Sequence, residues 1–290
     1  MRITIDFESR SRCDLKKSGP WKYSEDPSTE VLCLAVKQDF LPATIYTPRM
    51  DLVRDPLALP LMDLEQVMNL IEKADEIEAH NSEFEVAVWH HVFHVRGRLP
   101  DLPALKMRCS ASRASMCSLP RSLGQVCAVL NLPMQKDMVG HNLMMKFCRP
   151  CKRFKTVDGT KTVEEYWWED PDDFVRLCRY CLTDVEAEYA LTQALPPLPP
   201  NELKVWQLDQ VINRRGVKID TAAVVVLQRE LAESEKKLLK EWKALTRGKV
   251  KSPAQIEATI DFIKEEFGVE LADLTKRTVE EELAEQEMLS

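Results

Sequence analysis

The chain has 290 residues, 44% of them hydrophobic and 30% charged, the balance of a soluble globular protein with length enough for two domains of roughly 100–200 residues each. Its 40 Lys+Arg against 47 Asp+Glu give a net charge of −7, which argues against indiscriminate polyanion binding. The opening Met-Arg-Ile-Thr-Ile-Asp reads as a strand and not a signal peptide, no apolar run approaches the roughly 18 residues of a membrane span, and the nine cysteines read as reduced thiols of a cytoplasmic protein.

Alternation of Ile3, Ile5 and Phe7 with Thr4, Asp6 and Glu8 predicts a strand over 2–7. Side chains at i and i+2 of a strand share a face, so Asp6 and Glu8 project together. Two like charges so close repel, and a divalent cation is the direct way to keep both ionised. The plain alternative is an amphipathic strand with a wet face. Further strands are expected near 30–38, 43–47 and 76–80, with a helix over about 63–73. Asn81-Ser82-Glu83-Phe84-Glu85 then opens a helix running through Val86, Val88, Trp89 and Val92. Glu85 falls in its first turn, where Ser82 and Glu85 also have the spacing of a capping box, and Glu83 is expected to point to solvent. His90, His91 and His94 follow; consecutive histidines on one helix face different ways, so helix surface is the better reading than a metal site.

Residues 105–150 read as helical and loop-like, with a helix opening at Leu119-Pro120-Arg121-Ser122-Leu123. The run Lys146-Phe147-Cys148-Arg149-Pro150-Cys151-Lys152-Arg153-Phe154-Lys155 interleaves basic and aromatic residues, either a surface that tracks a single strand or a solvated loop, and Arg108, Arg113 and Arg121 are further candidate phosphate contacts. Asp158-Gly159 has the composition of a hairpin turn ahead of Trp167 and Trp168. Asp170-Pro171 caps a long helix. Its Phe174, Leu177, Cys178, Cys181 and Val185 form a buried stripe, while Tyr180 and Asp184 make another face with Arg176. Cys148-x-x-Cys151 and Cys178-x-x-Cys181 have zinc-like spacing, but the second pair lies on the buried stripe, so free thiols are the better reading and structural zinc the lesser one. Pro196-Pro197-Leu198-Pro199-Pro200 is a stiff linker. Beyond it Leu203 to Leu245 is mostly helical with a break at Gly216, and Glu280 to Leu289 is an acidic helix.

Asp6-x-Glu8, Asn81-x-x-Phe84-Glu85 and Tyr180-x-x-x-Asp184 resemble the three motifs of the tyrosine-type DEDD 3′→5′ exonucleases found in family A (DNA polymerase I-like) polymerases. The histidine-type subclass carries histidine five residues before the last aspartate, where this chain has Arg179. Tyr23-Ser24-Glu25-Asp26-Pro27 to Val31-Leu32-Cys33-Leu34-Ala35 and Ala79-His80-Asn81 look like bacteriophage versions. Asn213-Arg214-Arg215-Gly216-Val217-Lys218-Ile219-Asp220, the helix after it, Lys251-Ser252-Pro253 and Leu274-Thr275-Lys276-Arg277-Thr278 resemble the segment that leads from exonuclease to polymerase and begins the thumb. No stretch resembles the palm and fingers that carry the polymerase carboxylates.

The resemblance implies an α/β, ribonuclease H-like exonuclease fold, a mixed sheet flanked by helices, over residues 1–198, and a helical appendage over 199–290. It implies two divalent ions, Mg²⁺ or Mn²⁺: Asp6, Glu8 and Asp184 for one, with Asp6 bridging to a second that Glu85 supports. The family usually has aspartate at the Glu85 position, so the longer side chain bears on the strength of the second ion's site. Tyr180 is implied to orient the attacking water, Glu8 to meet the terminal 3′ hydroxyl and Phe84 to pack beneath the site. Asn81, Phe84, Arg108, Arg149, Lys152, Arg153 and Arg176 are the candidate nucleic-acid contacts. The expected function is removal of nucleotides from single-stranded or frayed DNA 3′ ends in proofreading, beside a polymerase domain or subunit and in the host cytoplasm if phage-encoded. The alternatives are an RNase D-like RNA-trimming exonuclease and a non-catalytic strand- or polymerase-binding module.

Overall fold

A computed structural model describes residues 1–132, 138–157 and 160–289. Its first part orders β1 (Arg2–Arg10), α1 (Leu15–Glu25), β2 (Glu30–Gln38), β3 (Thr44–Tyr46), α2 (Leu64–Lys73), β4 (Glu76–Ala79) and α3 (Glu83–Val88). A π-helical segment, Trp89–Arg96, continues from α3 and leads to β5 (Met107–Cys109), α4 (Ser110–Met116), α5 (Leu123–Val129) and α6 (Met138–Phe147). The β6 (Cys151–Val157) and β7 (Thr160–Tyr166) strands precede α7 (Pro171–Ala194) and α8 (Pro200–Arg215).

The sheet has the order β3-β2-β1-β4-β5, with β1 antiparallel to β2, β2 to β3, and β1, β4 and β5 mutually parallel. The fold is therefore a mixed sheet flanked by helices. Period-two alternation along β1 decides what each face meets. Ile3, Ile5 and Phe7 join Leu34, Val36 and Ile77 under α2 and the Trp89–Phe93 turn. The opposite face sends Cys33 and Ala35 of β2 into a core with Phe174, Leu177, Cys178 and Cys181 of α7. The polar residues of β1 thus face α7, and a register shift between Glu8 and Ser9 is the kind of bulge that re-aims side chains near sites.

The expected α7 stripe is buried in full: Phe174, Leu177, Cys178, Cys181 and Val185 are each 0% exposed. Asp170 caps the helix by accepting from the amides of Asp172 and Asp173, satisfying donors that no preceding turn can reach. Asp170→Ala is expected to cost about 1 kcal/mol, read as a lower melting temperature with the fold retained.

Several elements depart from the sequence reading. The helix expected to run regularly through Val92 becomes π-helical from Trp89 to Arg96. Helix α1 went unforeseen because Gly19 (φ 75°) and Pro20 interrupt it, and β5 because three residues are too few to show a period. Strands β6 and β7 pair antiparallel from Cys151–Tyr166 to Val157–Thr160; the turn expected at Asp158-Gly159 lies outside the described residues. No helix among the described residues is long and apolar enough to cross a membrane.

The chain divides into compact units at Met1–Gly216 and Val217–Ser290, one helix beyond the proline linker where the sequence reading divides it. Helix α8 stays with the first unit because Trp206 packs on its core and Arg214 bonds Asp101 at 2.9 Å. Gly216 has φ 69°, a backbone state that costs glycine little. The second unit holds α9 (Thr221–Leu245), α10 (Ile256–Phe267) and α11 (Lys276–Leu289), with Asp220 capping α9 and ion pairs Arg247–Glu266 and Lys249–Glu265.

Candidate metal centre

Asp6 and Glu8 leave β1 on the α7 side, and α7 brings Asp184 to them, so that carboxylate oxygens of all three lie within 4.8 Å of one another. Glu8 is 8% exposed, and Asp6 and Asp184 are partly open. The thiol of Cys181 donates to Asp6 Oδ2 at 3.4 Å, the one neutral donor drawn from the stripe beneath. Carboxylates this close cannot all ionise unaided. Burial first and the Asp184 charge second raise Asp6 to a pKa of about 8. Glu8 is raised well above its usual range by burial, then by Asp6 and Asp184.

Glu85 stands beside this trio. The capping-box alternative is absent: Ser82 makes no side-chain cap bond, and Glu85 is instead 3% exposed with Oε2 buried and unpartnered. Burial, and then the charge of Asp6, raise its pKa well above the carboxylate range. An unsatisfied buried carboxylate oxygen costs free energy, and a cation is the partner that relieves it. Tyr180, 7% exposed, has its phenol held neutral by burial, by the nearby Asp184 charge and by a hydrogen bond to Asp184.

An all-oxygen, carboxylate-rich donor set suits hard divalent cations such as Mg²⁺ and Mn²⁺. Because Asp6 keeps its proton up to about pH 8, a cation binding below that pH displaces it. Affinity is therefore expected to rise with pH up to about pH 8, about tenfold per pH unit for each proton displaced; Mn²⁺ titration at pH 6, 7 and 8 measures this.

The other expected residues are scattered. Asn81 holds φ 63° at the β4–α3 turn, with its Oδ1 3.5 Å from the Arg121 guanidinium. Phe84 packs on the core, 6.0 Å from the Tyr23 ring. Arg108 bonds Glu76 and the carbonyls of Leu105 and Met107. Arg149, Lys152, Arg153 and Arg176 are exposed. Arg153 lies over the Tyr166 ring at 4.9 Å, while Lys152 reaches Glu165 and Arg176 reaches Asp173, both at 3.9 Å. Arg113, expected as a phosphate contact, is instead 5% exposed and bonded to buried Glu78, because α4 packs it inward. Glu83, expected in solvent, accepts from Trp21 Nε1 at 3.1 Å.

Cys148, Cys151, Cys178 and Cys181 are free thiols and do not form a metal-ligating group among the described residues. His90 and His94, one turn apart, are gathered with Asp101, where helix surface was the expectation for the histidine cluster. Asp101 there bonds both His90 and Arg214 at 2.9 Å, while His91 turns away to Ser24 at 2.7 Å. Sequence reasoning missed Glu188, 1% exposed, one turn beyond Asp184; its i+4 spacing from Asp184 was the available signal.

Comparison with protein-family profiles finds no match. A DNA polymerase of Bacillus phage SP02 is 33% identical over 286 residues, covering 96% of this chain and 41% of that protein. The chain thus spans about two fifths of the length of this relative, and the likeness along nearly all of it supports a polymerase-related origin.

Proposed function

We propose that this chain is a metal-dependent 3′→5′ exonuclease that removes nucleotides from DNA ends, the proofreading part of a family A polymerase assembly. The observation that carries the reading is the trio Asp6, Glu8 and Asp184 with its oxygens within 4.8 Å. Glu85, buried and unpartnered at Oε2, and the neutral phenol of Tyr180 beside Asp184 complete the set of residue types the reaction needs. The strand order β3-β2-β1-β4-β5 with β2 antiparallel supports a ribonuclease H-like arrangement, and the likeness to a phage DNA polymerase supports DNA as the substrate.

In this reading Asp6, Glu8 and Asp184 would hold one divalent ion, and Asp6 and Glu85 a second. Bound there, such ions would supply Lewis acidity for the attacking water and for charge on the leaving oxygen. Tyr180 orients the water as a neutral phenol that accepts or donates without ionising. Glu8 meets the terminal 3′ hydroxyl and Phe84 supports the site from below. Asn81, Arg108, Arg149, Lys152, Arg153 and Arg176 are assigned to the strand, the exposed ones through phosphate contacts that weaken with salt. The exonuclease domain spans 1–198 and the helical segment 199–290 leads toward a thumb and a polymerase domain or subunit.

The test is digestion of 5′-labelled single-stranded and 3′-recessed DNA, with matched RNA strands in parallel, in Mg²⁺ or Mn²⁺. A ladder shrinking from the DNA 3′ end and abolished by EDTA is expected. Faster loss of RNA would move the assignment to RNA trimming, and intact strands throughout would overturn the enzyme.

A further inference from the structure

The third and second motifs are joined by a chain of hydrogen bonds that neither motif contains, buried at Glu188 and Ser110 and opening toward the surface at His80. Glu188 follows Asp184 by four residues on α7, and His80 precedes Glu85 by five at the end of β4. Between them stands Ser110, the first residue of α4, 0% exposed. Ser110 Oγ lies 2.9 Å from Glu188 Oε1 and 2.8 Å from His80 Nδ1. His80 Nε2 lies 2.7 Å from the carbonyl oxygen of Arg121.

That carbonyl dictates the direction of the whole chain. A carbonyl oxygen only accepts, so Nε2 carries a hydrogen. In neutral His80 the lone pair is then on Nδ1, Ser110 must donate its hydroxyl hydrogen there, and the serine oxygen is left to accept from Glu188, which must be a carboxylic acid. The alternative puts the same proton on His80: the imidazolium donates to Ser110, and Ser110 donates to a Glu188 carboxylate. Glu188 has Glu78 of β4, Glu85 of α3 and Asp6 of β1 facing it, with the Cys127 thiol of α5 nearby. Arg113 of α4 is bonded to Glu78 through both carboxylate oxygens, at 2.8 and 3.0 Å, and so answers that carboxylate's charge. Burial opposes the imidazolium as well, holding His80 below its usual pKa. The neutral pair is favoured at both ends.

We infer that Glu188, Ser110 and His80 form a positioning relay, with Glu188 as the proton donor, that fixes the β4–α3 turn bearing Glu85 against the helix bearing Asp184. This rests on the proposed metal centre, whose two ion positions draw on opposite ends of the relay. None of the three residues touches substrate. Their part is that of an outer shell, where loss of a partner weakens metal affinity without removing a ligand. His80, leading directly into the positive-φ residue Asn81, is where the relay acts on the turn.

The test uses the full chain with ¹⁵N-labelled histidine. Of its five histidines, His80 is assigned by the His80→Gln spectrum. The metal-free protein is expected to show His80 neutral with hydrogen on Nε2 from pH 6 to 8. Glu188→Gln, whose amide still donates to Ser110, is expected to keep that tautomer and to hold Mn²⁺ affinity within about twofold of the parent. Ser110→Ala and Glu188→Ala are expected to lose the tautomer bias and to weaken Mn²⁺ binding about tenfold. A charged His80 at pH 7, or an unchanged tautomer and Mn²⁺ affinity in Ser110→Ala, would overturn the relay. Absence of Mn²⁺ binding by the parent protein would instead overturn the metal centre, and with it the relay's role there, while the tautomer still reports on the hydrogen bonds.

Discussion

Alanine at Asp6 or at Asp184 is expected to cut metal-dependent cleavage by at least the order of 10²–10³-fold that loss of one preorganised electrostatic group costs an enzyme. Each carboxylate belongs to the trio whose oxygens lie within 4.8 Å. For Asp6, loss of folding would not account for the result, because its carboxylate burdens the metal-free protein. Asp6 has its pKa raised to about 8 from 3.8. Between those values the folded chain holds a proton that the unfolded chain has released, so stability from this group is present at low pH and is lost as pH rises through about 8. Asp6→Asn, neutral at every pH, is therefore expected to melt higher than the parent at pH 8 in EDTA while showing the same loss of cleavage. A variant that melts higher yet still cuts at the parental rate would remove Asp6 from the site. Glu85→Gln is expected to be milder, since Glu85 stands outside the trio, and Tyr180→Phe likewise, since it removes only the hydroxyl beside Asp184.

Much of this site was legible because strand and helix periods are short and strict. Asp6 and Glu8 could be put on one face from alternation alone, and α7 on the sheet from its buried stripe. The same alternation explains what stayed hidden. Glu78 sits on a strand among Glu76 and Ala79, and charge in such a pattern signals solvent; in the structure it is 0% exposed, since its partner Arg113 arrives from a helix 35 residues away. Ser110 was invisible for the same reason, and the i+4 spacing of Glu188 from Asp184 gave its face but not its burial: a buried polar residue is defined by its partner, here 78 residues away. The Ser82-x-x-Glu85 spacing favoured a cap, yet the glutamate is drawn inward, where Oε2 is buried without a partner. His90 and His94, four residues apart, share a helix face as a period of 3.6 allows; what the sequence hid is Asp101, which joins them from beyond the π-helical turn.

The largest stability effect is expected at Arg113. Glu78 is fully buried and Arg113 is 5% exposed, the guanidinium meeting both carboxylate oxygens at 2.8 and 3.0 Å. Burial first, and less so the charge of Glu76, drive the Glu78 pKa up, and the charge and hydrogen bonds of Arg113, with the charge of Arg2, oppose it. Arg113 also donates to the carbonyls of Thr192, Leu195 and Pro196, the acceptors left open at the end of α7. Arg113→Met fills similar volume but leaves Glu78 with only the long contact to Arg2 Nε at 3.9 Å and frees those carbonyls, and is expected to cost about 3–5 kcal/mol at pH 7, the range for breaking one side of a buried ion pair. The loss should shrink toward pH 5, where the stranded Glu78 takes up a proton and the uncompensated charge disappears. Glu78→Gln combined with Arg113→Met should recover part of it at pH 7, because the charge is gone, but not the share that comes from the α7 carbonyls. Urea unfolding of the single and double variants at both pH values separates the two shares. An Arg113→Met protein within about 1 kcal/mol of the parent at pH 7, far below the cost of a stranded buried charge, would show that Arg2, 3.9 Å from Glu78, or water is enough for the carboxylate and that the end of α7 is held by other means.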